Sequence, residues 1–285
     1  MSGASDPSIR VYSADSGRAT LRSSVSRAGS EVWGAREVVW RLFVRDFTSQ
    51  FRQKIFGYLW AFIGPIIGIA SFVFLNYTGV LNAGELKIPY VLFVFFGSTL
   101  WGLMMGTIGI VSASFLTYGD LVLRTSVPRI ALTMAGMAGL VYGQIINVIV
   151  LLVILVAFGV VPSVGALALP LMVLPLVWLG VGIGLILATI GALARDITGV
   201  VTSLLGLVMY ITPVIYMPKF DKPILRAIVD YNPLTYLIDE PRNMFFLGAM
   251  QHPVGFAAAS GLSLLAVVAG IHGFYLIQDK VVERL

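Results

Sequence analysis

The sequence predicts an all-α integral membrane protein with six transmembrane helices, an N-terminal amphipathic interface helix, and short outer re-entrant helices between the fifth and sixth spans. Three observations predict it. Hydrophobic residues make up 58% of the chain and charged residues only 12%. The mean hydropathy of +0.92 lies outside the usual range of a soluble domain. Six stretches reach roughly the 20 mainly apolar residues that a bilayer crossing requires. The chain has no cysteine and two histidines, which excludes disulfides and argues against a His/Cys metal centre.

Taken in order, residues 1–30 hold nine serines and four arginines and no apolar run long enough for a signal-peptide core. They read as a disordered cytoplasmic tail. Residues 31–56 read as the interface helix. On a helical wheel Trp40, Phe43, Val44, Phe47, Phe51 and Ile55 fall within about 60° of one direction, while Arg41, Arg45 and Arg52 gather on a neighbouring face. Such a helix suits an anionic membrane surface or a cytoplasmic partner. The first span, near 57–78, follows with no turn signal between them. The second lies near 89–118 and the third near 130–161, separated by the short segment 119–129.

Pro162 and Gly165 break the apolar run before the fourth span, near 165–194. Only "ARD" at 194–196 separates it from the fifth, near 197–217, so these two spans form an antiparallel hairpin. The stretch Met217 to Pro253 is too apolar for a plain loop. Its eight charged residues (Lys219, Asp221, Lys222, Arg226, Asp230, Asp239, Glu240 and Arg242) nevertheless forbid an ordinary span. Prolines at 218, 223, 233 and 241 are expected to cut it into two short amphipathic helices in 218–252. The sixth span lies near 253–278.

With the N-terminus inside, fourteen Lys/Arg face the cytoplasm and five face outward, which satisfies the positive-inside rule and places both termini in the cytoplasm. No Asp, Glu, Lys or Arg lies near the middle of a span. A carrier driven by protons or sodium usually needs a carboxylate there, so that class is disfavoured. Gln144 and Asn147 are the deepest polar groups of the third span and read as interhelical hydrogen-bonding residues, and His272 reads as structural. No phosphate-binding loop, nucleophile elbow or zinc-protease motif occurs. Asp239 and Glu240, being adjacent, would point about 100° apart on a helix and make a poor acid/base pair.

Six stretches carry a resemblance: "LFVRDFTSQFRQKIFGYLWAFIGPI", "LRTSVPRIAL", "ALARDITGVV", "YITPVIY", "NPLTYLIDEPRNMFF" and "KVVERL". In this order, over residues from about 40 to 285, the chain resembles the permease subunit of type-two ABC exporters of polysaccharides and polyol phosphates. That family includes O-antigen, cell-wall galactan, teichoic-acid and capsule exporters. The resemblance implies a homodimer in the bacterial inner membrane, working with two separate nucleotide-binding ATPase subunits. MgATP would sit on those partners, with no cofactor, metal or catalytic residue on this chain and no nucleic acid. The cargo would be a polysaccharide linked to undecaprenyl or decaprenyl. An arginine-rich composition, with 14 Arg against 5 Lys, keeps galactan beside O-antigen as its identity.

The resemblance further implies that the interface helix and a coupling helix at 119–129 dock on the ATPase. Their candidate contacts are Arg41, Arg45, Arg52, Asp120, Arg124 and Arg129. The outer helices would form a gate, with Tyr231, Asn232, Pro233, Asp239, Glu240 and Arg242 as candidates. A glycan has polar hydroxyls and apolar ring faces, so flat aromatic side chains suit its conduit. Tyr58, Trp60, Phe62, Phe93, Phe96, Trp101, Tyr210 and Tyr216 are the candidates for that lining. The long Ser/Arg-rich tail, and Thr48 and Ser49 where the family often has a basic residue, depart from the common pattern. The alternatives are a secondary transporter that needs no ATPase and a membrane enzyme centred on Asp239, Glu240 and Arg242.

Overall fold

The computed structural model describes residues 20–49, 57–81, 84, 86–117, 127–193, 195–217 and 222–282. Twelve α-helices occur among them: α1 Leu21–Gly34, α2 Arg36–Ser49, α3 Gly57–Tyr77, α4 Tyr90–Thr117, α5 Arg129–Gly136, α6 Ala138–Ala157, α7 Leu169–Met172, α8 Leu174–Leu193, α9 Arg195–Val208, α10 Pro223–Asp230, α11 Pro233–Leu247 and α12 Pro253–Val282. A 3₁₀ turn, Val164–Ala168, precedes α7. No strand occurs among the described residues.

The long helices α3, α4, α6, α8 and α12 are apolar on nearly all sides, and that decides where they can sit. Along α6, Val141, Ile145, Val148, Ile149, Leu152, Val153 and Val156 are all exposed, an arrangement that suits hydrocarbon and not water. Among the described residues, four segments are long and apolar enough to cross a bilayer: Tyr90–Ser114, Arg129–Ala157, Val164–Gly191 and Pro253–Ile277. The chain is a multi-pass integral membrane protein, and these four segments fall on the expected second, third, fourth and sixth spans.

The first expected span, near 57–78, coincides with the 21-residue helix α3, Gly57–Tyr77. The fifth is shorter, its apolar helix running Asp196–Val208. The fifth was expected to run to 217, but α9 ends at Val208 and residues 209–216 proceed as successive turns. Pro213 is the physical reason: it has no N–H for a helical bond, and it pushes its predecessor away from helical geometry.

Two further expectations are corrected. The disordered tail was drawn to residue 30, yet α1 begins at Leu21, where the Thr20 side chain accepts a hydrogen bond from the Ser23 N–H. Ser24 and Ala28 of α1 are buried. Pro241 was expected to cut the outer segment, but α11 runs through it. The ring forgoes one bond to the Leu237 carbonyl, and the flanking Glu240 and Arg242 are each anchored to other parts of the chain. Pro223 and Pro233 do start helices, at positions where a missing N–H costs nothing.

The centre of the bundle is α8, packed most extensively on α12 and on α4. Its sequence Gly180-Val181-Gly182-Ile183-Gly184 makes both contacts close. A Cβ on Gly180 would lie 2.8 Å from Thr107 Cβ and one on Gly184 2.7 Å from Val111 Cβ, so these two face α4. A Cβ on Gly182 would lie 2.6 Å from the Val267 nitrogen of α12, and one on Gly270 of α12 would lie 2.6 Å from the Gly182 oxygen. Lipid supplies no hydrophobic drive between helices, so such small-residue seams, which let backbones touch, hold a membrane bundle together. The core continues from Leu92, Val94, Phe95 and Phe96 through Met104 and Ile108 of α4 to Leu237 and Ile238 of α11.

Candidate functional site

The polar chemistry gathers at the end of the bundle where α11 packs against the starts of α4 and α12. Asn232 starts α11: its Oδ1 accepts from the Leu234 N–H at 3.0 Å and its Nδ2 donates to Thr212 Oγ1 at 2.9 Å. Pro233 follows at the first helical position. Nearly two turns later, Asp239 and Glu240 diverge as their helical spacing requires.

Glu240 is wholly buried and yet fully engaged. Its Oε2 accepts from the Gln251 N–H at 2.7 Å and its Oε1 from the His252 N–H at 3.0 Å. These are the two residues immediately before α12, so the carboxylate sits at the positive end of that helix dipole. Arg242 is 3% exposed. Its guanidinium donates to Asp239 Oδ1 at 2.6 Å, to the Pro213 carbonyl at 3.2 and 3.3 Å, and to the Val214 carbonyl at 3.0 Å. The guanidinium carbon lies 3.8 Å from the centre of the Phe93 ring. Gly97 leaves the necessary room, because a side chain there would strike both the guanidinium and the Val214 oxygen. Arg242 therefore binds the carbonyls that the turns at 213–214 leave without helical donors.

Beside this knot lies a cavity of about 310 Å³, walled by Phe93, Asp239, Arg242, Asn243 and Phe246 and rimmed by Lys87, Gln251 and His252. Burial pushes Asp239 up to about 6, with Glu240 adding to the rise and Arg242 and His252 opposing it. Its folded-state value thus exceeds the ordinary 3.9 or so of an aspartate. The stability it contributes is present below about pH 4 and is lost as the pH rises through about 6. Replacing Asp239 with Asn is expected to flatten that part of the stability–pH profile. Infrared spectroscopy of the wild type should show a protonated carboxyl band fading near pH 6; the same band persisting in Asp239→Asn would assign it elsewhere.

The other candidates fall as follows. Tyr231 is exposed at the end of α10. Phe93 lines the cavity, whereas Phe96 is buried against Phe245 and Phe246, and Trp101 is buried in the core. As placed, Phe96 and Trp101 present no ring to a passing molecule. Phe62 packs on the same core, Tyr210 is exposed, and the Tyr216 hydroxyl donates to the Tyr210 carbonyl at 3.1 Å. Tyr58 and Trp60 belong to α3 by their backbone; their side chains lie outside the described residues.

At the opposite end, Arg41 and Arg45 are exposed on α2, with Arg45 paired to Asp46. The aromatic stripe forms a ladder. Trp40 stacks on Phe43 at 5.7 Å, Phe43 on Phe47 at 6.1 Å, and Phe47 meets the edge of Tyr142 at 5.8 Å. Arg129 is the first residue of α5. Arg52, Asp120 and Arg124, with most of the 119–129 segment, lie outside the described residues. Sequence reasoning missed the docking of α1 here. The Ser24 Oγ lies 3.1 Å from His272 Nδ1, the Tyr275 hydroxyl donates to Glu31 at 2.7 Å, and Arg27 stacks over Tyr275 at 4.9 Å. The "T-L-R-S" cap at Thr20 was the one signal that could have revealed the helix.

The family model described as "ABC-2 type transporter" matches residues 37–246, from the start of α2 to the last turn of α11. Two proteins of Klebsiella pneumoniae, each named O-antigen export system permease protein RfbA, are 26% identical to the chain over 212 residues, 73% of this chain and 80% of theirs. A protein of the same name from Myxococcus xanthus is 22% identical over 257 residues, 90% of this chain and 98% of its own.

Proposed function

Because this chain belongs to the ABC-2 type transporter family, we propose that it is the membrane-spanning permease subunit of an ATP-driven exporter that carries a polysaccharide out across the bacterial cytoplasmic membrane. The observation that carries the reading is the similarity to O-antigen export permeases, which for one relative extends over 90% of this chain. ATP binding and hydrolysis belong to a separate partner subunit. The cargo is a glycan anchored on a polyprenyl lipid, O-antigen or galactan being the first choices. The working unit pairs two copies of this chain with two ATPases.

Six crossings complete the topology, with α3 as the first span and α9, together with the turns at 209–216, as the fifth. Both termini then lie in the cytoplasm, and α10 and α11 lie on the outer side. There the two helices serve as a gate: the Arg242 knot holds α11 against the chain at 213–214, and Asn232 ties its start to Thr212. The cytoplasmic docking surface comprises α2, with Arg41, Arg45 and Arg52, and the segment 119–129 with Asp120, Arg124 and Arg129. Tyr210 and Tyr216, together with Tyr58, Trp60 and Phe62, are the aromatics best placed by sequence to meet the cargo.

Reconstitution tests the reading. Co-expressed with the ATPase subunit of its exporter, the chain is expected to co-purify as a complex whose polymer transport in proteoliposomes requires ATP. Transport by this chain alone under an ion gradient, or ATPase activity without the second subunit, would refute it.

A further inference from the structure

Helix α1 lies ahead of the family-matched residues, and its side chains divide into three arcs. Ser24, Ala28, Glu31 and Val32 turn toward the bundle. At 100° per residue, Val25, Arg22 and Trp33 occupy the adjoining arc of about 80°, and Leu21 lies at the seam between the two. Ser23, Ser26 and Ser30 occupy the far side. The exposed apolar groups therefore all lie on or beside one flank: Leu21 is 52%, Val25 38% and Trp33 72% exposed. Arg36 continues that flank, its guanidinium 5.4 Å above the Trp33 ring.

The depth of this flank follows from α12. Its first residue, Pro253, marks the bundle end that carries α11, and α1 grips the helix at His272 and Tyr275. At 1.5 Å per residue these lie about 28 to 33 Å further along, close to the roughly 30 Å of a hydrocarbon core. The grip therefore falls at the opposite boundary between acyl chains and headgroups. Exposed Trp and aliphatic groups flanked by arginine are the side chains that such a boundary accepts.

We propose that α1 is a second interfacial helix, seated on anionic phospholipid at the surface of the leaflet remote from α11. Leu21, Val25 and Trp33 enter the acyl boundary, and Arg22 and Arg36 meet lipid phosphates. The serine arc faces water. The flank continues into the Trp40–Phe43–Phe47 ladder of α2, so the two helices make one lipid-facing collar. Through Ser24 and Glu31 the collar is fastened to the last span. This inference requires that α12 cross the membrane and is independent of the cargo.

The chain has no native cysteine, so single-cysteine variants report on the intact protein directly. Val25→Cys and Ser30→Cys, on opposite arcs, would be labelled with a nitroxide. The full permease–ATPase complex would then be placed in vesicles of phosphatidylcholine with or without phosphatidylglycerol. In the mixed vesicles the label at 25 is expected to be accessible to oxygen and shielded from a water-soluble nickel chelate. The label at 30 should show the reverse. Omitting phosphatidylglycerol, or combining Arg22→Gln with Arg36→Gln, should draw the label at 25 toward water. Equal accessibility at both positions would overturn the proposal, as would shielding at 25 that depends on the ATPase and not on lipid. Indifference of that position to anionic lipid would overturn it as well. Polymer transport, measured on the same vesicles, separates these outcomes from a failure of the export reading.

Discussion

Replacing Arg242 with Ala is expected to destabilise the α11 end of the bundle by about 3–5 kcal/mol, the usual cost of removing one partner from a buried ion pair. The guanidinium also serves the carbonyls of Pro213 and Val214. Without it, two backbone acceptors and the partly exposed Asp239 carboxylate are left with no donor from this position. Lysine at 242 should rescue little: an ammonium lacks the planar fork that spans Asp239 and both carbonyls while lying on Phe93. Equilibrium unfolding in mild detergent, followed by helicity and by protease cleavage near 209–222, would measure the effect. An Arg242→Ala protein as stable as the parent would mean that the turns at 213–214 are held by something else.

The second large effect belongs to the seam of α8. Leucine at Gly182 is expected to cost more than the roughly 1–3 kcal/mol usual for overpacking, because what it meets is the backbone of Ala266 and Val267, which cannot rotate away. Even alanine should be felt. The control is Gly102 of α4, where an added Cβ meets nothing within 4 Å; Gly102→Leu should be nearly neutral. Parallel unfolding curves for the two leucine variants make the comparison. Similar behaviour would show that α8 and α12 can part without loss.

Much of the fold was legible in the sequence because lipid imposes one simple requirement, length of apolar helix. That requirement located the second, third, fourth and sixth spans. The prolines at 223 and 233 were expected to divide the outer segment into short helices, and each begins one. The remainder depended on groups far apart in the chain. Serine-rich residues 21–30 have modest helix propensity, and their helix is secured by burial of Ser24 and Ala28 against the bundle, which no local pattern announces. The turns at 209–216 persist because Arg242, 28 residues beyond Val214, supplies donors. Asp239, Glu240 and Arg242 drew notice as charges in an apolar stretch. That Glu240 closes the start of α12 was not readable, since it pairs with backbone groups eleven and twelve residues away.

That one turn of α11 carries both attachments has a mechanical consequence. Glu240 and Arg242 grip different parts of the chain, the head of α12 and the end of the segment after α9, through short, directional bonds. A rotation of α11 large enough to free one carboxylate oxygen would strip the neighbouring guanidinium of its carbonyls in the same movement. Hydrogen bonds of this kind do not stretch by degrees. The α11 end of the bundle should therefore respond in an all-or-none manner, either fully bound or fully released, with no stable half-bound form between.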